Sequence, residues 1–257
     1  MSMPIFLSLV IPAHNEADGI SDTVRAIVQE FSAEGLSDYE ILVVNDNSKD
    51  NTEDVLKSLM VSYSTVRYIN NTPPNGFGFA IRRGLEEYRG EAVAIVMGDL
   101  SDSPADMVTY YKHLKAGAEC VFGSRFIKGS AVYDYPKIKL IINRFANLFI
   151  KVLFGLKYND ITNAFKAYRR EVINGVRPFL SNHFNLTVEL PLKAIVRGYS
   201  YTVVPITWRN RKTGESKLKL TEQGSRYLFI VLYAWLEKRL TRGDYRRRDK
   251  ATTGNVG

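Results

Sequence analysis

Cysteine is almost absent from this chain of 257 residues: Cys120 stands alone, so no disulfide framework can staple the fold. It lies in the apolar run around Ala118, Val121 and Phe122, which suits a buried structural thiol better than a nucleophile. No stretch reaches the roughly 18 consecutive apolar residues of a membrane-spanning helix, and Met1 to Leu9 carries neither a cationic start nor a secretory apolar core. The expectation is a protein of a reducing compartment, in the cytosol or lying on a membrane surface. There is no repeat of fixed period, and no low-complexity block apart from the polar tail after Thr241. A P-loop is missing as well. The Gly-x-Gly-x-x-Gly that dinucleotide-binding units need after their first strand is replaced by Pro12-Ala13-His14-Asn15-Glu16. Gly76-Phe77-Gly78 comes after the third strand instead, with Ile81 where a third glycine belongs, which argues against a dehydrogenase.

What the chain does have is positive charge, with a net +8 and a pI near 9.4. That excess favours acidic partners: nucleic acid, an anionic membrane surface or phosphorylated substrates. The basic run Arg246 to Arg248 stands in a terminal tail and no nucleic-acid-binding module is recognisable, so nucleic acid is not expected. The length allows one large α/β domain with an appendage, or two small domains.

Apolar runs alternate with helical spacings through the first 125 residues. Strands are predicted at Phe6–Ile11, Glu40–Asn45, Val66–Ile69, Ala92–Met97 and Glu119–Gly123, separated by helices with apolar positions such as Ile20, Val24, Ile27 and Phe31. This order predicts a doubly wound, mostly parallel sheet. The first, second and fourth strands end in His14-Asn15-Glu16, Asp46-Asn47 and Asp99. Strands that start on one side of a parallel sheet finish on the other, the edge where such sheets bind ligands. Asp99 alone reads equally as a cap for the helix starting near Pro104; three polar strand ends together favour a site.

Val10-Ile11-Pro12-Ala13-His14-Asn15-Glu16, Val43-Val44-Asn45-Asp46-Asn47-Ser48, Asn75-Gly76 with Ala80 and Gly84, and Gly98-Asp99-Leu100 resemble the nucleotide-sugar half of an inverting family 2 glycosyltransferase of GT-A fold. Gly123-Ser124-Arg125-Phe126-Ile127-Lys128-Gly129 and Gly214-Glu215-Ser216-Lys217-Leu218 resemble its dolichyl- or polyprenyl-phosphate mannose and glucose synthase branch. The likeness runs from Phe6 to about Leu236. It implies one GT-A domain over residues 1–240, with a nucleotide-sugar half (1–125), an acceptor half (126–220) and an interfacial helix (221–240), then a basic tail (241–257).

The resemblance further implies that Pro12, His14, Glu16, Asp46 and Gly76 hold the nucleotide sugar, and that Asp99 coordinates Mg²⁺ or Mn²⁺ on the diphosphate. The usual Asp-x-Asp followed by Leu and Gln is here Met97-Gly98-Asp99-Leu100-Ser101-Asp102. One carboxylate is missing; Asp102 either restores a metal ligand or caps the next helix. Arg125, Lys128, Lys139, Arg211 and Lys217 fall at or near positions implied to hold an acceptor phosphate, with Asp99, Arg125 and Arg211 the catalytic set. A phosphate monoester is already anionic at neutral pH, so such an acceptor needs positioning and charge screening rather than a strong base. The segment from Asp160 to Tyr168 reads as a donor-sugar contact or as a turn into a strand, and Glu189 as a sugar or base contact.

Two segments suggest lipid. From Ile138 to Leu153 the polar residues Lys139, Asn143, Asn147 and Lys151 recur every four positions on an otherwise apolar helix, and the apolar run Tyr227 to Leu236 precedes Lys238, Arg239 and Arg242. The alternative is that both pack on the sheet or on a second subunit. The expectation is therefore a peripheral enzyme on the cytoplasmic face of a membrane, with or without an anchoring subunit, moving a hexose from a nucleotide diphosphate sugar to polyprenyl phosphate. Two alternatives stay open: a glycan or protein hydroxyl as acceptor, and a nucleotide-sugar-binding subunit without turnover.

Overall fold

The structure, a computed structural model, describes residues 4–210 and 220–247; Arg211 and Lys217 lie outside them. In chain order the elements are β1 (Leu7–Ala13), α1 (Ile20–Ala33), β2 (Tyr39–Asn45), α2 (Thr52–Ser62), β3 (Val66–Asn70), α3 (Phe77–Glu87), β4 (Ala92–Ile95), α4 (Pro104–Lys115), β5 (Cys120–Ser124) and β6 (Ala131–Tyr133). There follow α5 (Lys137–Phe154), β7 (Lys166–Arg169), α6 (Arg170–Gly175), α7 (Leu186–Val196), β8 (Tyr201–Pro205), β9 (Thr207–Arg209) and α8 (Leu220–Leu240). A seven-stranded sheet has the order β3-β2-β1-β4-β7-β5-β8, and β6 pairs with β9 in a separate two-stranded sheet. Every pairing in the large sheet is parallel except those of β7, which runs antiparallel between β4 and β5.

Alternation along the strands splits the core into two layers. Leu7, Leu9 and Ile11 of β1, Ile41 and Val43 of β2, and Ala92 and Ala94 of β4 face α1, α2 and α4. Their neighbours Val10, Leu42, Val44, Val93 and Ile95 face α3, α7 and the buried sides of α5 and α8. A strand covered on both faces favours apolar residues throughout, which is why these runs are nearly unbroken; the buried exceptions Ser8 and Glu40 hydrogen-bond each other at 2.6 Å. Gly84 allows α3 to lie on the sheet: a Cβ there would meet Val10 Cγ1 at 2.4 Å.

Helix α5 is turned opposite to a surface helix. Its polar stripe faces the protein, with Asn143 Nδ2 and Asn147 Nδ2 donating to Thr162 Oγ1 at 2.7 and 2.8 Å, while Ile138, Ile141, Phe145 and Val152 are 74%, 69%, 74% and 73% exposed. On α8 the side chains of Leu228, Phe229, Leu232, Leu236 and Leu240 are likewise exposed. No described helix is long and apolar enough to cross a membrane. The start of the basic tail does not trail away. Arg247 donates its backbone N–H to Arg197 O at 3.0 Å and its guanidinium to Glu119, at the sheet edge where β5 and β8 begin.

Candidate active site

The ends of β1, β2 and β4 meet at one edge and interlock. His14 Nδ1 donates to Asp46 O at 2.7 Å, and Asn15, in a left-handed turn with φ +54°, accepts through its side chain from Lys49 N at 2.8 Å and donates its backbone N–H to Ser48 Oγ at 3.0 Å. The Asp46 carboxylate accepts from Asn71 Nδ2 (2.8 Å), Asn75 Nδ2 (2.9 Å) and Gly76 N (2.7 Å). These bonds tie the 71–76 loop to the edge, with Gly76 at φ +134°, a backbone setting that favours glycine. Much of the acceptor capacity of Asp46 is thus taken by its own chain.

After β4 the chain turns through Met97–Asp102. Thr23 Oγ1 donates to Gly98 O at 2.8 Å, Ser101 N to Asp99 Oδ1 at 3.1 Å, and Met97 N to Asp102 Oδ2 at 3.1 Å. That last bond draws the Asp102 carboxylate under the backbone of the very position where the family's first aspartate is absent. Asp102 is 2% exposed. Burial, opposed by the Met97 N–H and reinforced by the charge of Asp99, pushes its carboxyl up to about 7.

Arg125 follows β5 and is 8% exposed. Asp160 grips it through Nε at 2.9 Å, Nη2 at 2.7 Å and the backbone N–H at 2.9 Å. Burial disfavours the charged guanidinium, but the Asp160 carboxylate outweighs it and holds the group above its ordinary range. The rings of Phe126, Tyr135 and Trp208 stand 5.3, 5.5 and 5.6 Å from the guanidinium carbon. Lys166 stiffens the same segment from beneath, donating to the carbonyls of Ile161 (2.9 Å), Asn163 and Thr187 (3.4 Å). Burial, countered by Asp160, pushes its ammonium down to about 7.

One cavity of about 1070 Å³ joins these parts. Pro12, His14, Glu16, Asp46, Gly76, Asp99, Asp102, Arg125 and Lys139 all line it, so the structure gathers nine of the residues singled out in the sequence. Lys128 is not among them; it sits exposed on the turn before β6. Asp160 is no sugar contact, because its carboxylate is committed to Arg125. Glu189 is withdrawn too: 1% exposed, it accepts from Leu180 N, Ser181 N and Lys193 Nζ at 2.8, 2.7 and 2.6 Å. Sequence reasoning missed Tyr135 and Trp208, which line the cavity beside Arg125. Neither ring is near Arg125 in sequence; the fold alone brings them there. The far end of the cavity is apolar, walled by Ile142, Phe145 and Phe149 of α5 and by Leu228 and Val231 of α8.

The chain is 30% identical over 216 residues to the polyprenol monophosphomannose synthase of Mycolicibacterium smegmatis, spanning 82% of this chain and 80% of that protein. It is 31% identical over 217 residues to the dolichol-phosphate mannosyltransferase of Pyrococcus furiosus, covering 83% of this chain but only 59% of that longer protein. Among solved structures, a mycobacterial protein superimposes with a TM-score of 0.71 at 18% identity, covering 90% of this chain and 74% of that one. The glucosyl-3-phosphoglycerate synthase of Mycobacterium tuberculosis, in complex with Mn²⁺, uridine diphosphate and glucosyl-3-phosphoglycerate, gives 0.67 at 20% identity over 91% of this chain and 80% of its own. These neighbours share the GT-A fold. Residues 8–177 match Glycosyl transferase family 2, and the chain belongs to that family.

Proposed function

We propose that the protein transfers a hexose, mannose by the names of its relatives, from a nucleotide diphosphate sugar to polyprenyl phosphate with inversion. The observation that carries this reading is the division of charge in the cavity. Its carboxylates, Glu16, Asp46, Asp99 and Asp102, follow β1, β2 and β4, at the carboxyl ends where such sheets bind nucleotides, and its cations come later in the chain. On the acceptor side stand Arg125 and Lys139. Asp160 and Glu189 are both ion-paired, and Asp99 and Asp102 are assigned to the cation, so this reading leaves no acid as a general base. A hydroxyl acceptor needs such a base; a phosphate monoester, with its second pKa near 6, does not.

The chain's own residues then hold and align. Arg125, as a fixed fork, and Lys139, as a mobile charge, bind the acceptor phosphate and screen it from the donor's diphosphate. A phosphate oxygen attacks the anomeric carbon from the face opposite the nucleotide, the bond from carbon to the diphosphate oxygen breaks, and nucleoside diphosphate leaves. Oxygen donors suit Mg²⁺ or Mn²⁺, which take one or two carboxylates and complete their shell with phosphate oxygens and water. Asp99 and Asp102 fit that need, being neighbouring like charges on one wall, although no group of three acids, histidines or cysteines gathers among the described residues. When bound, the cation offsets the charge of the leaving diphosphate.

The exposed apolar faces of α5 and α8 are flanked by Lys137, Arg144, Lys238, Arg239 and Arg242. They support peripheral binding to an anionic bilayer, with the apolar end of the cavity turned toward the lipid's chain. The test is product analysis with GDP-mannose and polyprenyl phosphate. A mannosyl-phosphate lipid, and no product from the matching unphosphorylated alcohol, is expected. Transfer to the alcohol or to a glycan would refute the reading.

A further inference from the structure

Strand β9 touches both halves of the site. Its backbone meets the acidic loop, where Trp208 bridges to Asp102 and Arg209 N donates to Ser101 O at 3.1 Å. Asp106 Oδ2 takes the N–H of Thr207 at 2.7 Å, and Asn210 N donates to Tyr133 O at 3.0 Å. The strand is thereby pinned at each of its residues. Only one of its side chains lines the cavity, that of Trp208. The indole lies 4.9 Å from the Tyr135 ring and 5.6 Å from the Arg125 guanidinium, so Arg125 has Asp160 along one edge and aromatic faces around it. An arginine held this way keeps its plane and loses little freedom when it binds a phosphate.

We infer that Trp208 is a positioning residue for the acceptor phosphate: fixed by β9 to the Asp99–Asp102 loop, its indole holds the plane of Arg125 against the cavity. This rests on the reading of Arg125 as the acceptor-phosphate ligand, and it adds a physical link between the donor's loop and the acceptor's cation. Neither Asp160 nor Tyr135 supplies that link, since neither belongs to the strand bonded to the acidic loop.

The test uses the full chain with farnesyl phosphate as a short acceptor and GDP-mannose as donor. Trp208→Leu is expected to raise the KM for farnesyl phosphate roughly tenfold, leaving the donor KM within about twofold, and Trp208→Phe to restore most of the loss. A binding readout accompanies the kinetics. Trp235→Phe leaves Trp208 as the sole tryptophan, and its emission should change saturably with farnesyl phosphate, an effect that Arg125→Ala abolishes. If Arg125→Ala raises the acceptor KM while Trp208→Leu does not, or if Trp208→Leu shifts both KM values alike, the assignment of Trp208 is overturned. An unchanged acceptor KM in Arg125→Ala would instead overturn the reading of Arg125 beneath it.

Discussion

Replacing Ile141, Leu148 and Val152 together by serine should release the protein from membranes without weakening its fold. These side chains are 69%, 57% and 73% exposed, and none lines the cavity. Full burial of such a side chain is worth about 1.5–3 kcal/mol. About two thirds of each surface is open, and an interfacial helix sinks only part of its apolar face into the headgroup boundary, so about 1 kcal/mol per residue is a fair yield. The triple variant should lose about 3 kcal/mol of vesicle affinity, roughly a hundredfold in the dissociation constant. Co-sedimentation with vesicles containing a third phosphatidylglycerol measures it, and a denaturant titration checks the fold. Since the serines replace side chains that face outward, the free energy of unfolding should stay within about 0.5 kcal/mol of the parent's. Unchanged vesicle binding with an intact fold would refute the assignment of this face to the bilayer. A large loss of stability would show instead that the face packs on protein.

Two further predictions bear on the site. Asp99→Asn should lower kcat/KM by roughly a hundredfold or more, and should weaken Mn²⁺ binding in the presence of GDP at least tenfold, as followed by electron paramagnetic resonance of the free ion; retained affinity would place the cation elsewhere. Lys166, 1% exposed with its ammonium near 7 against 10.5 in a free side chain, carries a pH signature. Between those values the unfolded chain holds a proton that the native state has released, so stability must rise with pH across that window. Unfolding at pH 7 and pH 9 should differ by about 2 kcal/mol more in the parent than in Lys166→Met, and an equal slope in both would contradict the burial argument.

The parallel half of the fold was legible because strands buried on both faces leave unbroken apolar runs, as in Ile41-Leu42-Val43-Val44, and because their polar ends must share an edge. The antiparallel insertion of β7 was not, since a four-residue strand such as Lys166–Arg169 leaves no register or direction in its sequence. On α5 the spacing revealed one polar stripe and one apolar face, but not which way each would turn; Thr162, distant in sequence, decided it by taking Asn143 and Asn147 inward. Two of the acids were misread. Asp160 and Glu189 are partnered by Arg125 and Lys193, and the residues that saturate a carboxylate are found only when the chain is folded. For Glu189 the partner was four positions away on the same helix, a spacing that could have warned of it. Arg125 was identified from its motif, whereas the cage that fixes it comes from three separate segments.

The measurement that tests the central claim most directly is release of nucleoside diphosphate from GDP-mannose, UDP-glucose, UDP-N-acetylglucosamine and UDP-galactose, each with and without polyprenyl phosphate, in Mg²⁺, Mn²⁺ or EDTA. The account predicts release from one donor, GDP-mannose, only when lipid phosphate and a divalent cation are both present. Release that ignores the lipid, or tight donor binding without turnover under any metal, would contradict it.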